Sequence, residues 1–257
     1  MSETYEKAAA LIAGSKRAVG FTGAGISAES GIPTFRDPGG VWDKFSVSNL
    51  IMRPHKIRQN LLEAVDTLEA AEVNPAHIAL KDLEDMGILK VVITQNIDDL
   101  HNMAGNTNVI EVHGNLYRSR CKSCGRKEKL TRDQALARIR ARLKERFLNP
   151  IRLIRAYPRC RCGGKTRPDV VNFGEAVQGL PEAYQASVSC DLMIILGTSG
   201  KVYPCAKLPY EAKKRNAKII EINPTENAFS DITDVFIRAK AGEGMTMLVE
   251  EMRRGSP

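Results

Sequence analysis

Polar side chains between Gln95 and His101, followed by His113, have the residue types needed for amide binding and proton transfer. Asn96 and Asp98 stand two residues apart after an apolar run, so an amide and a carboxylate could grip a carboxamide together. His113 precedes a glycine, and a neutral imidazole at a ligand-binding edge can take a proton from a hydroxyl. A purely structural role is the alternative for His113. His101 could orient another side chain or begin a helix.

The stretch Gly20–Arg36 follows a short apolar run and is rich in glycine and serine. Gly23-x-Gly25-x-x-Ala28 fits the dinucleotide fingerprint, in which backbone N–H groups approach a phosphate at a strand-to-helix turn. A tight turn without a ligand is the alternative. The continuation through Pro33 is not needed by an ordinary nucleotide-binding fold and indicates a further task.

Four of the six cysteines form two close pairs, Cys121 with Cys124 and Cys160 with Cys162. In a chain without an export signal, this grouping predicts a metal site rather than disulfides. Cys190 and Cys205 stand apart, and we expect them to be small buried hydrophobic residues.

Apolar runs that alternate with helical patterns must position these groups. Six runs are predicted strands: residues 18–21, 88–94, 109–112, 191–196, 217–222 and 234–238. Helical spacing is found over residues 2–13, 57–71, 75–86 and 243–253. Alternating strands and helices predict an α/β fold with a parallel sheet covered on both faces, which binds ligands beyond the strand ends.

The composition is that of an ordinary globular protein, with 43% hydrophobic and 26% charged residues in a chain of 257. No apolar run approaches the roughly 20 residues of a membrane span, so a membrane partner is not expected. The first residues mix Glu and Lys with alanine, which predicts a helix rather than a secretory signal. The expected location is cytoplasmic.

The segment from about Leu116 to Arg167 interrupts the alternation and carries the basic charge. Between Arg126 and Arg167 there are 15 Lys/Arg and 3 Asp/Glu, a local charge of +12, which leaves −4 for the remainder. An apolar helical stripe runs through its middle at Leu136, Ile139, Leu143 and Phe147. A weak nucleic-acid or chromatin contact through residues 126–167 is one interpretation, and a solvated helix face is the other.

Together these motifs resemble the sirtuin family of NAD-dependent protein deacylases. The resemblance extends from about Ala8 to Met252. It is carried by Gly23–Arg36, Thr94–His101, His113-Gly114, Asp169–Glu175, Gly197–Ser199, Val202–Pro204 and Ile222–Pro224. It implies a Rossmann-like parallel-sheet domain, a smaller zinc-binding domain with a helical module, and an active site in the cleft between them.

The resemblance also implies that NAD+ is the co-substrate and assigns its contacts. Gly23, Ala24, Gly25 and Ser27 would lie at the pyrophosphate, beside the N-terminus of the following helix. Ile26, Asn96 and Asp98 would form the nicotinamide pocket, and Gln95 would contact the nicotinamide ribose. Phe35 would shield the sugar cation from water, and Arg36 would order the loop. Gly197, Thr198 and Ser199 would cradle phosphate and ribose, Asn223 the adenosine ribose, and Ala241 the adenine.

In the family's reaction the acyl oxygen of the substrate lysine attacks C1′ of the ribose, which gives an alkylimidate. His113 would then act as general base toward a ribose hydroxyl, and the acyl group would pass to ADP-ribose. The acetyl-lysine peptide would add as a strand beside Phe173, Gly174, Glu175 and Val202. For Glu175 a solvated turn residue is an equal alternative.

The four paired cysteines resemble the family's structural zinc site, with one Zn²⁺ per chain. Cys121-x-x-Cys124 has the usual spacing, whereas Cys160-x-Cys162 is one residue short. Four sulfur ligands leave no open position, which favours a structural metal over a catalytic one. The implied large domain covers about 1–40, 74–116 and 168–257, and the small domain joins about 41–73 to 117–167 within one catalytic unit, 1–257.

The predicted function is therefore an NAD-dependent protein-lysine deacetylase. A mono-ADP-ribosyltransferase and a zinc-dependent chromatin-binding protein with a vestigial site are the alternatives. Members of the family that remove acidic acyl groups carry a Tyr and an Arg on the helix before the Asn-Pro turn. Residues 57–72 contain no tyrosine, and Arg58 is their single arginine, so acidic acyl groups are disfavoured.

Overall fold

The structure, a computed structural model, describes residues 2–34, 54–143, 159–172 and 174–254. Three residues with predicted roles, Phe35, Arg36 and Phe173, lie outside these ranges. The same holds for residues 41–53 of the expected helical module and for residues 144–158 of the basic insert, which include Phe147.

A parallel sheet of six strands forms the centre of the described chain, in the order β3-β2-β1-β7-β8-β9. Its strands are β1 Ala18–Thr22, β2 Leu89–Thr94, β3 Val109–Glu111, β7 Leu192–Leu196, β8 Lys218–Ile222 and β9 Val235–Ile237. All six correspond to runs predicted from the sequence. β1 lies in the middle between β2 and β7, so the connections leave in opposite directions from this point. Open α/β sheets bind ligands at such a switch point.

The strands are apolar on both sides because helices cover both faces of the sheet. In β7, Leu192, Ile194 and Leu196 belong to one apolar cluster, whereas Met193 and Ile195 belong to another. Alternate side chains of a strand point to opposite faces, so the two clusters are the two sides of the sheet. This pattern explains the nearly continuous apolar runs in the sequence.

Three helices cover the first face: α1 Ser2–Gly14, α3 Pro75–Asp85 and α8 Ala241–Arg254. Helices α6 Leu180–Ser189 and α7 Leu208–Lys214 cover the second face. Asn74 caps α3 as predicted: its side chain accepts a hydrogen bond from Ala76 N at 2.9 Å, and Pro75 occupies the first helical position. A 3₁₀ helix, Ala24–Ser30, follows β1 in place of a longer α-helix.

A second, antiparallel sheet lies in the basic segment, with the order β5-β4-β6. Its strands are β4 Gly114–Cys121, β5 Lys127–Lys129 and β6 Thr166–Val170. Helices α2 Pro54–Ala70 and α5 Arg132–Leu143 pack on each other and on β4. The predicted stripe is confirmed within the described part of α5, because Leu136 and Leu143 are buried and Ile139 packs beside them.

Ion pairs and caps join α2 to α5 as well. Arg140 forms salt bridges with Asp66 and Glu69 on α2. Arg132 donates to the carbonyls of Leu68 and Ala71, at the carboxyl end of α2. Two arginines of the basic segment are therefore occupied by structural contacts. No helix in the described ranges is both long and apolar enough to cross a bilayer.

Candidate active site

The described residues with predicted catalytic and cofactor-binding roles lie mainly at the carboxyl edge of the parallel sheet. The loops after β1, β2, β7 and β8 begin at Gly23, Gln95, Gly197 and Asn223, and His113 follows β3 by two residues. Hydrogen bonds tie neighbouring loops together: Gln95 N donates to Thr22 O at 3.0 Å, and Gly23 N donates to Leu196 O at 3.0 Å.

The glycines after β1 allow that loop to contact the loop after β7 directly. Gly25 N donates to Gly197 O at 2.7 Å. A Cβ on Gly25 would lie 2.7 Å from Gly197 Cα, and one on Gly23 would lie 2.7 Å from Thr198 Cβ. Gly197 itself has φ +58°, a conformation that favours glycine. Close backbone packing, and not only a ligand, therefore requires these glycines.

Asn96, Ser27 and Asp98 form a hydrogen-bonded chain between two loops. Asn96 Nδ2 donates to Ser27 Oγ at 3.0 Å and to Gly23 O at 3.1 Å. Ser27 Oγ donates to Asp98 Oδ2 at 2.7 Å, and Leu100 N donates to Asp98 Oδ1 at 3.1 Å. Burial raises the pKa of Asp98 against the lowering effect of these hydrogen bonds. The predicted amide and carboxylate are thus brought together, with Ser27 between them.

His113 is oriented by one hydrogen bond. Its Nδ1 lies 2.9 Å from the carbonyl oxygen of Gln95. A carbonyl only accepts, so Nδ1 carries the proton and the neutral ring has its lone pair at Nε2. Burial lowers the pKa of His113 below its usual value, and the Gln95 hydrogen bond opposes this. The ring is therefore an unprotonated acceptor near neutral pH, as a general base must be.

Hydrogen bonds link the loop after β2 to the loops after β7 and β8, through Gln95, Thr198 and Asn223. Gln95 Nε2 donates to Thr198 Oγ1 at 3.0 Å. Asn223 Nδ2 donates to Thr198 O at 3.3 Å and to Glu221 Oε1 at 2.7 Å. Glu221 was not predicted as a site residue, because its place in an apolar strand gives no sign that its side chain contacts Asn223.

Four more predicted cofactor residues lie in the described ranges: Ala24, Ile26, Ser199 and Ala241. Ala24 is half-buried, and the Ile26 side chain is fully buried in the apolar core. Ser199 is half-buried directly after Thr198. Ala241 begins α8, where Gly242 N donates to Glu29 Oε2 at 2.6 Å and so ties this helix to the 3₁₀ helix.

His101 combines both interpretations offered for it. It lies in the short helix α4, Leu100–Met103, and its Nε2 is 2.9 Å from Thr22 Oγ1, at the end of β1. Its ring packs edge-on against His77 at a centroid distance of 4.9 Å. Burial lowers the pKa of His101 to about 3 and that of His77 to about 4. Both rings are neutral structural groups beneath the site.

A charged network behind His113 was missed by sequence reasoning. Asp169 has no exposed surface, and it pairs with Arg118 at 2.6 Å and Lys127 at 3.2 Å. Arg118 also pairs with Glu111 at 2.8 Å. Gly114, next to His113, is required here because a Cβ would lie 1.8 Å from Asp169 O. The spacing of these charges along the chain gives no indication that they meet.

Three of the four predicted peptide-binding residues, Gly174, Glu175 and Val202, lie in the described ranges. Gly174 has φ +83° and is exposed, and 41% of Val202 is exposed. Glu175 pairs with Arg167 at 2.6 Å and accepts from Asn172 N at 3.2 Å. Its hydrogen bond with Arg167, followed by those with Asn172, lowers the pKa of Glu175 to about 2. The carboxylate of Glu175 is thus engaged within the protein, and its substrate contact stays a prediction.

The four paired cysteines form one cluster on the second sheet. Their Sγ atoms all lie within 4.8 Å of one another. The Cys121–Cys162 and Cys124–Cys160 sulfur pairs are each 3.6 Å apart. Thiolates around a tetrahedral zinc, at ~2.3 Å from the metal, lie about 3.8 Å from each other. The sulfur spacing therefore fits a Zn²⁺ ion, and the shorter Cys160-x-Cys162 turn does not prevent this.

Glycine in the second cysteine turn makes the cluster possible. A Cβ on Gly164 would lie 2.8 Å from Cys121 Sγ. Backbone N–H groups of Cys124 and Ser123 point at Cys121 Sγ and lower the pKa of that thiol to about 6, which favours the metal-binding thiolate. Cys190 and Cys205 are buried as predicted, and burial raises the pKa of their thiols to about 12 and about 11.

The chain is similar to known proteins over nearly its whole length. The Sir2 family model matches residues 23–204. An NAD-dependent protein deacylase from Desulfosudis oleivorans is 45% identical over 266 residues, which cover 99% of this chain and 97% of the relative. A Sir2 homologue in complex with ADP-ribose has a TM-score of 0.77 and 38% identity, with 96% of each chain covered. A Sir2 structure with p53 peptide and NAD+ has a TM-score of 0.77 and 32% identity, and covers 97% of this chain and 98% of that one.

Proposed function

The chain belongs to the Sir2 family, and on that premise we propose that it is an NAD-dependent protein-lysine deacetylase. It transfers the acetyl group from lysine to ADP-ribose and releases nicotinamide. The observation that carries the proposal is the joint placement of the Asn96–Ser27–Asp98 chain and His113 at the carboxyl edge of the sheet.

The co-substrate NAD+ supplies an electrophilic ribose carbon with nicotinamide as its leaving group. Asn96 and Asp98 would hold the carboxamide end, and the two loops joined by the Gly25–Gly197 hydrogen bond would hold the phosphates. Gln95 fixes His113 through its backbone carbonyl and Thr198 through its side chain, so one residue connects the base to the phosphate loop.

His113 does the proton transfer in this proposal. Its Nε2 accepts a proton from a ribose hydroxyl, while Nδ1–H stays hydrogen-bonded to Gln95 O and keeps the ring in one orientation. Because the lysine amide oxygen is a poor nucleophile, positioning and exclusion of water contribute more than an activated side chain. Phe35 is proposed to shield the sugar from water, and Arg36 to order the loop.

One assay tests the proposal against its alternatives. The protein is incubated with NAD+ and an acetyl-lysine peptide, and free lysine peptide, nicotinamide and acyl-ADP-ribose are measured. We expect the three products in equal amounts. Nicotinamide release with labelled protein and no deacetylated peptide would instead indicate a mono-ADP-ribosyltransferase. No turnover of NAD+ with any acyl peptide would leave the vestigial, chromatin-binding alternative.

The peptide partner is an acetyl-lysine segment that adds as a strand beside Gly174 and Val202, with Phe173 as a further proposed contact. The exposed Val202 and Tyr203 provide apolar surface for it. A succinyl-lysine peptide should be a poorer substrate, because Arg58 is the single arginine of residues 57–72 and no tyrosine accompanies it. Comparable rates with acetyl and succinyl peptides would contradict this preference.

The division into domains is part of the proposal. The large domain takes about 1–40, 74–116 and 168–257, and the small domain about 41–73 and 117–167. Strands β4 and β6 run across two of these boundaries, so paired strands connect the domains there. The cysteine cluster belongs to the small domain and would hold the structural zinc. A cytoplasmic location fits the use of cysteines for metal binding, and fractionation of cells would test it.

A nucleic-acid contact through residues 126–167 is the second partner proposed. Exposed Arg126, Arg161 and Lys165 around the cysteine turns support it, whereas Arg132 and Arg140 are occupied by contacts to α2. Binding to duplex DNA should weaken steeply as salt rises. Absence of binding at low salt would exclude the contact.

A further inference from the structure

Glu221 is a buried carboxylate directly beneath the edge of the sheet. It has no exposed surface and lies one residue before the end of β8. Its Oε1 accepts from Asn223 Nδ2 at 2.7 Å and from Asn227 Nδ2, and its Oε2 accepts from Thr233 Oγ1 at 3.0 Å. The Thr233 hydroxyl has one hydrogen and also lies 2.9 Å from Phe229 O, so the two amide donors at Oε1 are the contacts that hold this group. Burial raises the pKa of Glu221, and its hydrogen bonds oppose this rise.

The carbonyl of Thr198 fixes the orientation of the side-chain amides of Asn223 and Asn227. It accepts from Asn227 Nδ2 at 2.7 Å and from Asn223 Nδ2 at 3.3 Å. Because a carbonyl oxygen cannot donate, both contacts must come from the NH₂ group of the amide. Both N–H groups of the Asn223 side chain are therefore directed inward, toward Thr198 and Glu221.

The polar atom of Asn223 that faces away from Thr198 and Glu221 is Oδ1, which is an acceptor. Asn227 Oδ1 is used within the protein, since Phe229 N donates to it at 2.8 Å. Asn223 Oδ1 accepts no hydrogen bond from the residues that the structure describes. No Lys or Arg in those ranges forms a salt bridge with Glu221, so its hydrogen-bond partners there are neutral groups.

We infer that Glu221 is a positioning residue that sets the cofactor specificity of the site. By holding the NH₂ group of Asn223 inward, it leaves Asn223 Oδ1 to accept a hydrogen bond from a ribose hydroxyl. This inference rests on the proposed function, in which Asn223 binds the adenosine ribose.

The arrangement discriminates between NAD+ and NADP+. A free 2′-hydroxyl can donate to Asn223 Oδ1. A 2′-phosphate carries about −1.5 to −2 charges near neutral pH and would face an acceptor backed by a buried carboxylate. Asn223 Oδ1 and the phosphate oxygens are all acceptors and cannot pair with one another, so the orientation of Asn223 opposes binding of the phosphorylated cofactor.

Calorimetric binding of ADP-ribose and of 2′-phospho-ADP-ribose to the full chain tests the inference. The wild type should bind ADP-ribose at least about tenfold more tightly than its 2′-phosphate. In Glu221→Gln, ADP-ribose affinity should fall about tenfold and the ratio between the two ligands should contract at least about fivefold. The KM for NAD+ should rise, while kcat at saturating NAD+ stays within about twofold.

Asp234→Asn is the matched control for this change. Asp234 contacts the opposite end of β8, where it accepts from Ile219 N at 2.9 Å and pairs with Lys213 at 2.6 Å. The same chemical change there should alter stability and leave the ratio between the ligands at its wild-type value. If Glu221→Gln does not fold, Asn223→Ala provides the second variant, and it should contract the ratio as well.

A wild-type ratio in either folded variant would overturn the role of Glu221. Equal contraction in Asp234→Asn would also overturn it, because the effect would then be general destabilisation. These binding results do not depend on deacylation. Tight ADP-ribose binding without deacylation would therefore count against the proposed reaction alone, whereas no ADP-ribose binding by the wild type would overturn the reaction and the inference together.

Discussion

At the scale of single residues, His113 offers a substrate one ring nitrogen only. Its Nδ1–H is held by Gln95 O at 2.9 Å, so proton transfer must take place at Nε2. Burial makes the neutral ring the favoured form, because the charged ring would lose its hydration. The protein thereby keeps the base ready without a carboxylate partner.

We expect His113→Ala to bind ADP-ribose with nearly unchanged affinity and to lose ~10²- to 10⁴-fold in deacylation rate. The pH dependence has a definite sign. The base works when unprotonated and its pKa is lowered from 6.5, so kcat/KM should fall only as pH drops below about 6.5. Rate measurements from pH 5 to 9 check this. A variant with near-normal turnover would remove His113 as the base.

Ser27 is the residue on which both amide-binding groups depend. Ser27→Ala removes the donor to Asp98 Oδ2 and the acceptor of Asn96 Nδ2. We expect a loss of about 1–3 kcal/mol in the free energy of unfolding, because a buried carboxylate oxygen is left without its donor. We also expect kcat/KM for NAD+ to fall about 10- to 100-fold.

Urea unfolding and steady-state kinetics measure the two effects of Ser27→Ala. Ser189→Ala is the control, since Ser189 is exposed and donates only to carbonyls of its own helix. If Ser27→Ala behaves like this control, the Asn96–Ser27–Asp98 chain does not position the nicotinamide pocket.

At the scale of elements, the loop after β1 and the loop after β7 must approach each other within van der Waals distance for the carboxyl edge of the sheet to form. Gly25→Ala would place a Cβ 2.7 Å from Gly197 Cα and 2.8 Å from Gly197 O. Both atoms are backbone, so no side chain can move aside. We expect about 1–3 kcal/mol of destabilisation and weaker ADP-ribose binding, measured by thermal unfolding and calorimetry.

Gly14→Ala is the control for Gly25→Ala. It ends α1 with no atom within 4 Å of the added Cβ, so it should be close to neutral. Unchanged stability and unchanged ADP-ribose affinity in Gly25→Ala would show that the two loops separate freely.

Many of the helices and strands could be predicted from the sequence. The six strands of the parallel sheet appear as apolar runs because both faces are covered, and Asn74-Pro75 marks a helix start by its own chemistry. Helix α6 and the second sheet were not predicted. In β4, buried side chains alternate with three half-buried ones, Leu116, Arg118 and Arg120. This mixture of one apolar and two charged residues hides the alternation of a strand in the sequence.

The site was predictable where its residues share a motif and not where they meet only in space. Asn96, Asp98 and His113 follow strands and could be recognised from that position. Glu221 lies inside an apolar strand, which conceals its contacts with Asn223 and Asn227 in the turn that follows. Asp169 also lies inside a strand, and its partners Arg118 and Lys127 come from the other two strands of the second sheet. Local spacing carries no information about such contacts, which depend on the register between strands.

At the scale of the whole molecule, the cysteine cluster fastens the second sheet. We expect one zinc per chain by elemental analysis, and its loss in Cys124→Ser together with a lower melting temperature. A structural metal contributes directly to folding, because the site does not exist in the unfolded chain. Cys190→Ser, at a buried thiol outside the cluster, should retain the zinc. Full zinc content in Cys124→Ser would exclude this cysteine as a ligand.

The cysteine cluster also closes a long loop of the chain. Cys124 and Cys160 are separated by 35 residues of sequence, yet their sulfurs lie 3.6 Å apart. Loop-closure entropy rises only with the logarithm of loop length, so doubling such a loop costs about 0.6 kcal/mol. The entropy of closing this loop therefore sets only a weak limit on the length of the segment between the two cysteines. Insertions in that segment should be tolerated as long as helix α5 keeps its packing on α2.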